Sequence, residues 1–302
     1  MGTIGKALLR QIYRCAGLLL LVALVAACGG EKSDVPSQFS YDDSQPLDVQ
    51  DKPTSFSTNE VRVDDISFTG PGSTRLNAYL LMPSASSGRH PAVIYAHGAG
   101  GDRQELLDEA LKMSEQGAVT LTLDMIYSPS RARPLPQGMA GARANSKLEQ
   151  QAVKEVRRAV DLLQSRDDVD DDAIGYVGWS QGARMGAVIS GVEHRIKAFD
   201  LIAGGAAPVS EYVKYAPVDL QDELRTLLQK TDPIHFVGLA KPSELLFQDG
   251  RQDEIVPEAA LRKLAGAGSE PKEVRWYESG HVPSATMWAD SRNWLAERLE
   301  ID

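Results

Sequence analysis

The chain has 302 residues, 42% of them hydrophobic and 25% charged, a length that holds one large core or two small ones. Its net charge is −10, and Lys6, Arg10 and Arg14 all fall in an acid-free leader of 27 residues, so the rest is more acidic still. An acidic body without Lys/Arg clusters excludes nucleic acid as a partner. The two cysteines, Cys15 and Cys28, sit at the N-terminal end and leave no cysteine-based metal site or thiol chemistry in the body.

The leader "MGTIGKALLRQIYR" is basic, and "CAGLLLLVALVAAC" after it is apolar and ends in small residues. That is the layout of a secretory signal peptide, expected over 1–27, and too short for a comfortable membrane span. Val25-Ala26-Ala27-Cys28 resembles the bacterial lipobox, which implies cleavage before Cys28 and lipidation of its thiol. Gly29 stands where an Asp would mark inner-membrane retention. The expected location is therefore the bacterial cell envelope, at the outer membrane and facing the periplasm. Residues 28–60 are polar and rich in Ser, Asp, Pro and Gln, and read as a tether spanning about 30 Å on average, while the apolar anchors in "FSYDDSQPLDV" leave open that this part already lies on the domain.

From 61 the pattern changes. "VRVDDISF" and "TRLNAYLLMP" alternate apolar and polar residues around a "GPGS" turn, as an antiparallel hairpin does. "PAVIYAHG" is a continuous apolar run, the mark of a strand covered on both faces. A helix over 102–117, a strand over 118–125 and a long amphipathic helix over 146–166 follow, with a loop over 127–146. "AIGYVG" is another buried strand and leads straight into a helix. Strands over 196–205, 243–250 and 272–279 then alternate with a helical stretch at about 209–240 and helices over 257–268 and 284–299. This alternation predicts an α/β fold: a mostly parallel central sheet with helices on both faces, over 61–302, with a small cap insertion at 209–240. Such sheets carry their sites at the carboxyl ends of the strands, so the reactive residues that count are those just after strands.

Ser180 passes that test. It is the centre of Gly178-Trp179-Ser180-Gln181-Gly182, a Gly-x-Ser-x-Gly pattern placed between a strand and a helix, where a sharp turn exposes a nucleophile and tolerates only tiny neighbours. A serine needs a base, and the base an orienting acid. Of five histidines, His281 follows the last strand and is the best base. His90 precedes a strand, His194 sits near a helix end, and no acid-bearing strand end lies between Ser180 and His235. "LLFQDGRQDEIVP" offers Asp249, Asp253 and Glu254 after a strand; the preferred acid is Asp253, with Asp249 and Asp200 as alternatives. Backbone amides for an oxyanion are expected from Gln181, after the nucleophile, and from Ala99 in His97-Gly98-Ala99-Gly100-Gly101, with Gly98 next. Arg103 stands where a dinucleotide-binding loop would need its third glycine. His97 reads as a loop-orienting residue.

The series His97-Gly98, Gly178 to Gly182, Gly250 to Pro257 with Asp253, and Gly280-His281 resembles the α/β-hydrolase superfamily, in its dienelactone-hydrolase and acyl-esterase branch. Dienelactone hydrolases proper use a cysteine where this chain has Ser180. The resemblance implies a serine hydrolase of small or medium carboxylic esters, needing no metal or cofactor, and here carried on a lipoprotein. A peptidase, an amidase or an acyltransferase would use the same triad, and a non-catalytic envelope binding protein would keep the fold without needing it. Arg131, Arg133 and Arg143 in the 127–146 loop are candidates for meeting an acidic substrate, or are solvated. Tyr212, Tyr215, His235 and Phe236 are candidate pocket residues.

Overall fold

The computed structural model describes residues 35–84 and 88–301. The expected signal peptide and Cys28 lie outside the described residues. Among the described residues nine strands form one sheet: β1 (Gln50–Pro53), β2 (Val61–Thr69), β3 (Arg75–Pro83), β4 (His90–Ala96), β5 (Val119–Leu123), β6 (Val169–Trp179), β7 (Ile196–Ile202), β8 (Glu244–Gly250) and β9 (Lys272–Tyr277). Their order is β1-β2-β3-β5-β4-β6-β7-β8-β9. The first three strands pair antiparallel, as does β3 with β5, and every pair from β5 to β9 is parallel.

The continuous apolar strands are central for a physical reason. With helices on both faces there is no solvent side to carry polar residues. All five residues of β5 are buried, as are Val93–Ala96 of β4 and Ile174–Gly178 of β6. One face is covered by α1 (Leu107–Glu115) and α8 (Ala285–Leu299), whose Leu107, Ala110 and Met113, with Met287, Trp294 and Leu295, join a single cluster with β4 and β6 side chains. The other carries α2 (Gly138–Gln164), α3 (Gln181–Ser190), α6 (Pro233–Val237) and α7 (Glu258–Ala267). Between β7 and β8, ahead of α6, come α4 (Val209–Val213), a 3₁₀ turn (Val218–Leu220) and α5 (Gln221–Gln229), in which no residue is fully buried except Val213.

Two expectations change. Helix α2 starts at Gly138 rather than 146, so the loop after β5 is shorter than 127–146. The expected tether is docked over most of its length, and the compact unit begins at Pro36. Phe39 is fully buried, edge-on to Phe236 at 5.4 Å. Tyr41 donates to Asp161 at 2.7 Å, and Arg157 donates to the Phe39 carbonyl at 2.7 Å. The buried Arg158 donates to the carbonyls of Asp43, Gln45 and Thr69. The strand β1 then pairs with β2, although all four of its side chains are exposed.

Candidate active site

The carboxyl ends of β4, β6, β8 and β9 bring four loops together. After β6 the chain turns through Ser180 with φ 55° and ψ −111°, a left-handed conformation that costs a non-glycine residue energy and that the surrounding structure must hold. The turn explains its glycines. A β-carbon on Gly178 would lie 2.5 Å from the Gly182 carbonyl carbon, and one on Gly182 would lie 2.1 Å from the Ala96 oxygen.

Ser180 Oγ stands 2.9 Å from His281 Nε2, and His281 Nδ1 stands 2.8 Å from Asp253 Oδ2. A carboxylate only accepts, so Nδ1 carries the proton and Nε2 is free to accept from the serine hydroxyl. The other Asp253 oxygen accepts from the backbone N–H groups of Ile255 and Val256, both at 2.8 Å, so the carboxylate cannot rotate. Trp179 Nε1 donates to the His281 carbonyl at 3.0 Å, and its ring lies 5.8 Å from the imidazole. The sequence gives no hint of that bond, because it depends on which way the Trp179 side chain leaves the strand.

The alternative acids do not reach the histidine. Asp200 accepts from Gln248 at 2.8 Å, and burial pushes its carboxyl up to about 7. Asp249 is buried with Oδ2 unpartnered among the described residues, and burial, then the charge of Asp253, pushes it up to about 7. His90 bonds the Gly117 carbonyl at the opposite end of β4, and His194 and His235 are exposed.

The loop after β4 is fixed from inside. His97 is buried and donates from Nδ1 to the Gly98 carbonyl at 2.7 Å, while its Nε2 accepts from the Met125 amide at 3.2 Å. Burial lowers its pKa, which keeps this pattern neutral. The Gly98 amide donates to Glu105 Oε2 at 2.8 Å and is therefore engaged; Ala99, next in the chain, is exposed. Gln181 opens α3, where a helix start leaves N–H groups without intrahelical acceptors. Glu105 is a second residue sequence reasoning missed: it lies eight residues past His97 with no motif around it.

The arginines are largely committed. Arg131 makes two bonds, at 2.9 and 2.7 Å, to the fully buried Glu155, so it is neither solvated nor free for an acidic substrate. Arg143 pairs with Glu223 on α5 at 2.5 Å, and Arg133 donates to carbonyls of its own loop. Phe236 belongs to the core against Phe39 rather than to a pocket, and Tyr215 is 81% exposed. Tyr212 lines a small cavity with Arg184, Ala206, Val209 and Leu228. Among the described residues no group of three or more His, Cys, Asp or Glu is placed to hold a metal ion.

The acetyl xylan esterase family model matches residues 40–236. The chain belongs to this family. The match includes the His97–Gly101 loop and the Ser180 turn and stops before Asp253 and His281. Two solved acetyl xylan esterases share the fold. That of Paenibacillus sp. R4 superposes with TM-score 0.73 at 21% identity, over 84% of this chain and 90% of that one. That of Thermoanaerobacterium sp. JW/SL YS485 gives 0.72 at 18% identity, over 85% and 89%. The fold is thus the α/β-hydrolase fold. Uncharacterized proteins of two Mycobacterium tuberculosis strains are 29% identical over 194 residues, 63% of this chain, and the matched stretch spans 62% of their own length.

Proposed function

We propose that the protein is a serine hydrolase of carboxylic esters, with Ser180 as nucleophile, His281 as base and Asp253 as orienting acid. The observation that carries this reading is the unbroken series of bonds from Ser180 Oγ through the imidazole to Asp253 Oδ2. Ser180 Oγ attacks the ester carbonyl while its proton passes to His281 Nε2. Asp253 balances the imidazolium that forms. The negative charge on the carbonyl oxygen is met by the N–H groups of Gln181 and Ala99, preset so that no reorganisation is needed as the charge develops. His281 returns the proton to the leaving alcohol, then takes one from the water that releases the acyl-enzyme. Nothing in this cycle requires a metal or cofactor. Family membership and the names of its structural relatives support short acyl esters, acetates foremost, as substrates. From the sequence we further propose that Cys28 is the lipid-anchored end of the mature chain, at the bacterial outer membrane.

The test needs no knowledge of the natural ester. A fluorophosphonate added to residues 29–302 should give one covalent adduct by intact mass, absent from Ser180→Ala, and the same variant should lose hydrolysis of a chromogenic acetate by at least about 10³-fold. A folded wild-type protein that stays unlabelled would overturn the assignment and favour a binding role.

A further inference from the structure

Two exposed carboxylates, Glu105 and Glu254, lie near Ser180 and His281. Gly98 is a convenient ruler. A β-carbon built on it would lie 3.5 Å from Glu105 Oε2 and 3.7 Å from Ser180 Cβ, so a single glycine separates that carboxylate from the nucleophile. On the far side, a β-carbon on Gly280, the residue before His281, would lie 2.9 Å from Glu254 Oε2. Neither Glu105 nor Glu254 is in an ion pair among the described residues. The cations of the neighbouring elements are occupied: Arg103 by Asp65 at 2.6 Å, Arg184 by Glu149 at 2.7 Å, Arg131 by Glu155 at 2.7 Å and Arg251 by Glu278 at 3.2 Å.

We propose that Glu105 and Glu254 set the charge selectivity of the site, admitting neutral or cationic esters and turning away esters that carry a carboxylate close to the reacting carbonyl. The inference rests on Ser180 as the nucleophile. Both carboxylates are exposed, so they repel a second carboxylate through partly screening solvent, and the repulsion falls as salt is added. The tetrahedral oxyanion feels the same repulsion for every ester, so only the difference between esters reports selectivity.

Two acetates suit the test: 4-acetoxybenzamide and 4-acetoxybenzoate, which share the acetyl group and a phenolic leaving group and differ by one carboxylate. The ratio of their kcat/KM values cancels any effect on the loop common to both. Wild type should favour the amide-bearing ester, and added salt should narrow the gap. Glu105→Gln keeps an oxygen that accepts from the Gly98 amide while removing the charge. That variant and Glu254→Gln should each raise the benzoate-to-benzamide ratio, by about threefold for Glu105→Gln at low salt. An unchanged ratio in both, with benzamide hydrolysis retained, overturns the proposal. Failure of the underlying reading looks different: wild type would turn over neither ester, or Ser180→Ala would turn over both at the wild-type rate.

Discussion

Trp179 stands one residue upstream of Ser180, and its indole N–H donates to the His281 carbonyl at 3.0 Å. Ser180 and His281, nucleophile and base in the proposed mechanism, come from loops on different strands, so something must hold them in register, and this bond ties one to the other directly. Trp179→Phe keeps the ring against the imidazole and removes only the donor. One lost hydrogen bond is worth about 1 kcal/mol, which corresponds to roughly a five- to tenfold fall in kcat. KM and the melting temperature should move little; an unaltered kcat would show that the loop of His281 holds itself. At this scale the meeting of Ser180, His281 and Asp253 was legible because all three follow strands, and the parallel sheet gathers such positions at one edge. The roles of Trp179 and Glu105 were not, since each depends on the direction in which one side chain folds back.

Among elements, the N-terminal segment departs furthest from its sequence. "QDKP" has no apolar residue, and β1 is held to β2 through backbone pairing at a sheet edge, which leaves no trace in hydrophobic patterning. The signal was Phe39, an aromatic in an otherwise polar run, and its meaning depended on a gap beside Phe236 that only the fold reveals. Phe39→Ala should lower unfolding free energy by about 3 kcal/mol in urea titration, the usual cost of emptying a buried aromatic site; a change under about 1 kcal/mol would make the segment a mere surface strap. The first turns of helix α2 are hidden in the sequence for a different reason. Its amphipathic period begins near Ser146, whereas "GMAGARAN" is compatible with a helix but shows no apolar face of its own. The insertion between β7 and β8 was legible as helical, but not which of its residues turn inward: Phe236 does and Tyr215 does not.

For the molecule as a whole, the strand–helix alternation fixed the architecture well before any motif was needed, because few topologies satisfy it. Stability should carry the mark of the two buried carboxyls. Asp200 and Asp249 are pushed up to about 7, chiefly by burial, whereas an unfolded Asp titrates near about 3.9. Between these values the unfolded chain gives up protons that the folded chain keeps. Stability should therefore fall as pH rises from about 4 to about 7 and then level off. Asp249→Asn removes one such group and should exceed wild type by on the order of 2 kcal/mol at pH 8, with the difference closing toward pH 4.5. Equal stability of the two proteins at pH 8 would sink that account. The bond between Ser180 and His281 has a further consequence, one of timing. The two residues are separated by 101 positions. A ribosome adding about 5–20 residues per second needs roughly 5–20 s to make the second after the first. Through that interval Ser180 exists as an ordinary alcohol, harmless to whatever ester or phosphonate it meets. On the proposed mechanism reactivity thus arrives late in biosynthesis, and covalent labelling of the serine would date the moment at which the last strands of the sheet close.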